Sequence, residues 1–326
     1  VNVVVTGSIA TDHLMTFPGK FVDALIPDKL DSLSVSFLVD GLEVRRGGVG
    51  ANIAFGMGVL GLKPVLVGAV GADFADYDAW LTRHGVDTAS VHVSQDLHTA
   101  RFVCTTDQNA SQIASFYPGA MGLARDIELA PVGQRVGGID LVVVGPNDPA
   151  AMRRHTDEAR ASGLSFVADP SQQLSSMEGE DIIALIDGAS FLFTNEYEAA
   201  LTESKTGWSA ERILESVGTR VTTLGSKGAR VERKGEPVIE VPVPKEDRVA
   251  DPTGVGDAFR AGYLSAYAWG LEPALCAQVG SLLATYVVET VGTQEYAFTV
   301  QQFVDRFEKA YGPAGAQSVG AHLLPA

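Results

Sequence analysis

The stretch Asp251-Pro252-Thr253-Gly254-Val255-Gly256-Asp257-Ala258-Phe259-Arg260-Ala261-Gly262 decides how this chain is read. A proline and two glycines open what reads as a helix, because the run from Ala258 to Leu264 continues without a breaker. Residues 254 to 257 then present unpaired backbone N–H groups at the positive end of the helix dipole. Such an array is an anion hole, with Gly254, Val255 and Gly256 as donors, suited to a phosphate whose charge shifts during transfer. Asp257 is the odd component, since a carboxylate repels a phosphate. Its use is to accept a proton from an alcohol attacking that phosphate. A helix start with Asp257 as a first-turn charge is the plain alternative.

The segment resembles the C-terminal signature of the ribokinase-like (PfkB) carbohydrate and nucleoside kinases. The family's N-terminal signature is a glycine pair followed by an Asn that opens a helix, with further glycines at fixed distances. The chain carries Gly47-Gly48-Val49-Gly50-Ala51-Asn52-Ile53-Ala54, then Gly61 and Gly71 where that pattern puts them. One departure is Val255, where the family has a small residue; a hole built from backbone donors keeps them with a valine there. The resemblance covers essentially the whole chain. It implies an α/β fold, a doubly wound and mostly parallel sheet with a small inserted β-sheet lid.

Composition bounds the partners. A chain of 326 residues with 46% hydrophobic residues can bury one large core, or a main core and a smaller one. A formal charge of −16 argues against nucleic acid and against an anionic membrane surface. A nucleotide is still admissible, because backbone N–H groups, Mg²⁺ and a few cations can hold its phosphates. Cys104 and Cys276 are the two cysteines, too few for a disulfide framework or a cysteine-rich metal site. The chain shows no apolar run of spanning length and begins directly with Val3-Val4-Val5, without a basic leader. The expectation is a reduced, soluble, cytoplasmic protein.

From about residue 130, apolar runs alternate with helical patterns: Leu141 to Val144, a helix from Pro149 to Ser162, Leu164 to Ala168, a helix near Glu180 to Ile186, Phe191 to Phe193, a helix from Glu196 to Leu201, then Arg220 to Leu224. Strands buried on both faces with crossover helices predict a parallel sheet with ligands at its carboxyl ends. Those ends read Asn147-Asp148, Asp169 to Gln173, Thr194-Asn195 and Gly225, all polar or small apart from Pro170. Two segments break the rhythm, 11–45 and 97–118. Their strand-like runs Val35 to Val39, Ala100 to Thr105 and Ile113 to Tyr117 have no helices between them. They predict a small separate sheet against a core of 1–10, 46–96 and 119–326. By resemblance that sheet is a lid over the sugar site and pairs with another subunit's lid, giving a homodimer. Gly312 to Gly320, rich in Gly, Ala and Ser, reads as loosely packed.

The resemblance also assigns site residues. Gly7-Ser8 closes the first strand, and Ser8, Asp12 and Ser36 fall to the substrate. Asp12 binds ribose hydroxyls, which a carboxylate can accept bidentately; a turn aspartate is the alternative. Asn52 bonds the same hydroxyls, with Gly48 backbone close to the sugar. Asn195-Glu196-Tyr197-Glu198 matches the family's Asn-x-x-Glu motif, which positions Mg²⁺ through Glu198; the same spacing makes a capping box, and both roles can coexist. Thr223-Leu224-Gly225-Ser226-Lys227-Gly228 resembles the nucleotide loop, with Thr223, Gly225 and Gly228 contacting ATP. Asp251 and Thr253 are placed to ligate a monovalent cation, K⁺. Competing signatures fail: Gly56-x-Gly58-x-x-Gly61 precedes a strand instead of following one, no Gly-x4-Gly-Lys-Ser/Thr loop occurs, and the six histidines lack zinc spacing.

Substrate choice turns on whether a flat base must be held. Phe102 and Phe116, on neighbouring lid segments, can sandwich a purine, or they can be the lid's own core. Gln172 and Gln173, after Asp169-Pro170-Ser171, can both donate to and accept from a purine edge. Together with Thr6 to Asp12 and the run through Asn52, the pattern is most similar to bacterial-type adenosine kinases. It implies adenosine and MgATP as substrates, with Asp257 as base. A ribose or fructose kinase and a catalytically idle nucleoside-binding sensor are the other readings; binding alone has no need of the base.

Overall fold

Runs such as Leu141-Val142-Val143-Val144 are buried at every position, so both faces of their sheet must be covered. The computed structural model describes residues 1–25, 31–32 and 34–323, so residues 26–30 and 33 of the expected lid segment lie outside the described residues. The first half runs β1 (Val3–Thr6), β2 (Ala10–Thr16), α1 (Phe21–Ala24), β3 (Gly41–Gly47), α2 (Val49–Val59), β4 (Val65–Val67), β5 (Ala69–Gly71), α3 (Ala75–Arg83), β6 (His92–Ser94), β7 (Ala100–Thr106) and β8 (Gln112–Tyr117). Then come α4 (Leu129–Val136), β9 (Leu141–Val144), α5 (Pro149–Ala161), β10 (Ser165–Ala168), α6 (Gly179–Ile186), β11 (Phe191–Asn195), α7 (Glu196–Thr206), α8 (Ala210–Ser216), β12 (Thr219–Thr223), β13 (Ala229–Glu232) and β14 (Ile239–Val241). Helices α9 (Val255–Ala268), α10 (Pro273–Val288), α11 (Val300–Tyr311) and α12 (Pro313–Leu323) follow.

The main sheet has 8 strands in the order β14-β13-β12-β11-β10-β9-β1-β4. It is parallel from β4 to β12 and antiparallel at β13 and β14. Alternate residues of one strand enter opposite cores. Leu141 and Val143 pack with α2, α9 and α10, whereas Val142 and Val144 pack with α4, α5 and α6. This two-sided burial is the doubly wound architecture, and it sends the carboxyl ends of β1, β9, β10, β11 and β12 to one rim. Among the described residues, no helix is long and apolar enough to cross a membrane.

A separate sheet of order β3-β2-β7-β8 stands over that rim. Its register puts Asp12 beside Phe102 and Phe102 opposite Phe116, on one face. His13, Val44 and Val103 share the other face, along with Leu42 and Ile113. The expected strand Val35 to Val39 is not one. Residues 34–39 form no ladder, and the strand in its place is Gly41–Gly47. Its apolar alternation serves an aromatic cluster instead, with the Phe37 ring 5.0 Å from both Phe17 and Phe21. The real strand was hidden by its charges, Glu43, Arg45 and Arg46.

The C-terminal Gly/Ala-rich stretch also differs from expectation. It forms α12, with Ala316 and Val319 buried. Its small residues are needed for contact: a Cβ at Gly315 would lie 2.8 Å from the Phe307 ring. Small side chains here mean close packing on α11 rather than looseness.

Candidate active site

Helix α9 starts from a glycine, Gly254, whose φ of 77° is left-handed and favours a residue without Cβ. The loop before it is tied by Asp251: Oδ1 accepts from Thr253 N at 2.9 Å and Oδ2 from Gly292 N at 3.1 Å. Burial would raise the Asp251 carboxyl, but the Thr253 and Gly292 donors and Arg45 outweigh it and hold it below its ordinary value. Ala258 N reaches Gly254 O at 2.9 Å, so the helix is closed from its first turn. The N–H groups of Gly256 and Asp257 precede the first intrahelical donors and face the rim.

Asp257 sits in this first turn against Asn52 of α2. Asn52 Nδ2 donates to Asp257 Oδ2 at 2.8 Å, across 205 residues of sequence. The reach is possible because α2 and α9 cross closely, a Cβ on Gly56 falling 2.6 Å from that of Ala261. Burial pushes the Asp257 carboxyl up to about 7; the Asn52 donor and Arg260 oppose the rise, while Asp169 and Glu198 add to it. At neutral pH the group is poised to take or release a proton.

The expected role of Asn52 changes in one respect. Its Oδ1 accepts from Gln294 Nε2 at 2.8 Å and lies 3.0 Å from Thr293 Oγ1. With Nδ2 on Asp257, the amide that was to meet ribose hydroxyls already has protein partners at both ends. It borders the cleft but acts there on Asp257.

A cleft of about 420 Å³ opens between this rim and the small sheet. Ser8, Asp12, Gly48, Asn52, Phe102, Phe116, Gln172, Gln173, Thr253, Gly254 and Asp257 all line it. Ser8 Oγ accepts from Val49 N at 3.0 Å and so fixes the start of α2. Gly48 has φ 91°, and a Cβ there would lie 2.6 Å from Ser8 O, so the turn between lid strand and helix requires glycine. Burial raises Asp12 to about 6, opposed by Arg45 and reinforced by Glu295 and Asp251. Ser36 is exposed on its extended segment and does not line this cleft.

Two expectations for the base-holding end need correction. Phe102 and Phe116 are directly opposed cross-strand residues, with Cβ atoms about 5 Å apart in such pairs. Side by side on one sheet face, they make a single wall; a sandwich needs two facing walls with a ring between. Gln173 spends its amide on the protein, donating to Asn147 O at 2.9 Å and accepting from Ser176 Oγ at 3.2 Å. Gln172 is exposed and lines the cleft.

A second cleft, of about 350 Å³, lies on the other side of the α9 N-terminus. Thr223, Gly225, Ser226 and Gly228 of the β12–β13 hairpin line it, with Pro252, Val255 and Gly256. The two clefts therefore meet at residues 252 to 257. Beside them, Asn195 and Glu198 form the capping box of α7, each side chain bonding the other's backbone N–H at 2.8 Å. Glu198 also lies 3.9 Å from Arg260 Nη2, so the cap and a site role coexist geometrically. Lys227 is exposed, 3.7 Å from Glu196.

Sequence reasoning assigned nothing to Arg260, Thr293 or Gln294 and noted Asp169 only as a strand-end residue. Arg260 is buried with its Nε 2.5 Å from Asp169 Oδ2, off the line of the N–H, and its Nη1 donates to Gly256 O at 3.1 Å. Burial pushes Asp169 up against the pull of Arg260. The available signal was an arginine inside the apolar run Ala258-Phe259-Arg260-Ala261, which demands a buried acid. Thr293 and Gln294 offered none, because polar residues in a Gly/Thr turn are ordinary.

Residues 12–299 match the model of the pfkB family carbohydrate kinases. A nucleoside kinase of Methanocaldococcus jannaschii is 31% identical over 86% of this chain and 92% of its own. The nucleoside kinase of Burkholderia thailandensis, solved in complex with inosine, superposes with a TM-score of 0.82 at 33% identity, over 95% of this chain and 98% of that one. An adenosine kinase from Sinorhizobium meliloti, at 20% identity over 91% and 96% of the two chains and a TM-score of 0.71, shares the fold. The chain belongs to the pfkB family of carbohydrate kinases and is a phosphotransferase of ribokinase fold.

Proposed function

We propose that this kinase transfers the γ-phosphoryl group of ATP to the 5′-hydroxyl of a purine nucleoside, adenosine in the first instance, giving AMP. The observation that carries the reading is the meeting of two clefts at one helix N-terminus, with Asp257 on the acceptor side. The similarity to nucleoside kinases over nearly the whole chain, and the inosine bound by the Burkholderia protein, support a nucleoside acceptor.

Asp257 takes the hydroxyl proton as the oxygen attacks phosphorus. The N–H groups of Gly254, Gly256 and Asp257 stabilise the transferring phosphoryl, the expected Val255 donor being turned to Pro252 O at 3.4 Å, and Asp12 with the Gly48 backbone orients the ribose. Thr223, Gly225 and Gly228 hold the nucleotide, with Asn195 at the rim. Family members use ATP with Mg²⁺, which neutralises phosphate charge. Glu198, a single carboxylate beside the nucleotide cleft, suits an ion that arrives on phosphates and keeps its waters. Asp251 and Thr253 would hold K⁺ against the loop. Residues 11–45 and 97–118 act as the lid, closing on the core of 1–10, 46–96 and 119–326 to exclude water. Leu42, Val44, Ile113 and Tyr117 are exposed on its far side and along the β8 edge, which supports pairing with a second copy's lid.

Asp257→Asn is expected to keep nucleoside binding and lose roughly 10²–10⁴-fold in kcat. Near-normal turnover would remove Asp257 as the base. Because the free acid rises to about 7, wild-type kcat/KM should fall as pH drops through that value.

For the ions, Glu198→Gln should raise the Mg²⁺ concentration at half-maximal rate, and K⁺ should outperform a bulky organic cation at equal ionic strength. Unchanged Mg²⁺ dependence with a lower melting temperature would leave Glu198 as a cap alone, and equal rates in both salts would dismiss K⁺.

Sedimentation should give a dimer for the wild type and a monomer for Leu42→Lys with Val44→Lys. A wild-type monomer defeats the lid pairing.

The acceptor is decided by ADP production against adenosine, inosine, other nucleosides, ribose and fructose. One lost stack at about 1–3 kcal/mol corresponds to roughly 5- to 150-fold, so Phe102→Ala or Phe116→Ala should weaken adenosine by that factor and ribose little. A wild type that prefers ribose overturns the nucleoside assignment.

A further inference from the structure

Asn52 faces Asp257 with an amide, and an amide can present either its NH₂ or its oxygen. The neighbouring network fixes which. Gln294 is fully buried, and its Oε1 accepts from Trp80 Nε1 at 3.1 Å. An indole nitrogen only donates, so the oxygen of Gln294 must face Trp80 and its NH₂ the other way. The two Nε2 protons then go to Tyr77 Oη at 2.6 Å and to Asn52 Oδ1 at 2.8 Å. Tyr77 Oη donates its own proton to Gly47 O at 2.9 Å, a carbonyl that can only accept. That leaves Tyr77 a lone pair for Gln294 and anchors the amide a second time. Thr293 has one hydroxyl proton for both Arg46 O at 2.9 Å and Asn52 Oδ1 at 3.0 Å, so it cannot fix Asn52 by itself.

We infer that Gln294 is a positioning residue for phosphoryl transfer: locked by Trp80 and by the Tyr77–Gly47 bond, it forces Asn52 to aim an N–H donor at Asp257. The inference rests on Asp257 being the base. Each bond of the relay has a defined polarity: donors point from Trp80 through Gln294 and Asn52 to the carboxylate, and a branch points from Gln294 through Tyr77 to Gly47 O. Gly47 is the last residue of β3, immediately before the glycine turn into α2, so the branch through Tyr77 ends at the junction of the small sheet with the core. The charged and titratable groups that act on Asp257 are Arg260, Asp169, Glu198 and Tyr296, and Asp12 shares its cleft; none of them belongs to the relay.

Without Gln294 the Asn52 amide is free to turn its oxygen toward Asp257. A donor that favours the ionised carboxylate is then lost, so the Asp257 pKa rises and the acid limb of kcat/KM moves to higher pH. The test follows the Asp257 carboxyl by ¹³C NMR in the full-length, substrate-free protein labelled at aspartate, with Asp257→Asn assigning the signal. Gln294→Met should move that titration upward by about one pH unit and cut kcat about tenfold, with nucleoside KM nearly constant. Trp80→Phe, which keeps an aromatic ring and removes the donor, should act in the same direction more weakly, and it decides the matter if Gln294→Met does not fold. An unmoved Asp257 titration in a folded variant overturns the relay, because a merely structural Gln294 would lower the melting temperature and leave the titration in place. A moved titration with Asp257→Asn still active would sustain the relay and discard Asp257 as base.

Discussion

The hydrogen bond from Asn52 to Asp257 is the joint on which the site depends. It links the first turn of α2, which follows the lid's glycine turn, to the first turn of α9, which carries the donors of the anion hole. Neither helix could be displaced along its axis without breaking it. The close crossing of the two helices at Gly56 and Ala261 keeps the bond short, and the shared core with α10 holds the crossing. Burial of an apolar helix face thereby becomes the setting of one carboxylate.

The doubly wound sheet explains why so many polar groups reach that joint. Parallel strands end on one rim, so Ser8 after β1, Asn147 after β9, Asp169 after β10, Asn195 at the end of β11 and Thr223 at the end of β12 gather from five separate stretches of chain. The small sheet closes the space above them with Asp12 and Phe102 on its inner face. Sequence distance is irrelevant to the chemistry; the order of strands in the sheet sets it.

What the sequence disclosed follows from which interactions are local. The β–α alternation after residue 130 and both glycine-bearing signatures are short-range patterns, and the main-sheet strands and their helices stand where those patterns put them. Lid strand β3 was illegible because its charged residues mask the period of two, while Val35 to Val39 imitates it. The C-terminal helix was misread because glycine and alanine signal flexibility in isolation and close contact in a packed pair. The roles of Asn52 and Gln173 were legible as polarity but not as partners, since Thr293, Gln294 and Ser176 become their partners only in three dimensions. The same holds for the side-by-side setting of Phe102 and Phe116, which depends on strand register.

Charge balance accounts for the remaining oddity, an acid held near neutrality in a site built for phosphate. Arg260 is buried among Asp169, Glu198 and Asp257, one guanidinium against three carboxylates in a poorly solvated region. Three full negative charges there would cost more than one cation returns, so burial favours the neutral form of the enclosed acids. Both Asp169 and Asp257 are accordingly raised, chiefly by burial, with Glu198 adding to Asp169 and both Asp169 and Glu198 adding to Asp257. Of the two, Asp257 has the Asn52 donor and borders the acceptor cleft, whereas Asp169 Oδ1 has no donor and is enclosed. A proton taken from an attacking hydroxyl can therefore be received by Asp257, and Asp169 serves to keep the guanidinium in place behind it. The backbone donors of α9 add positive potential without adding a titrating group, and so a phosphate can approach a carboxylate that is itself ready to be neutralised.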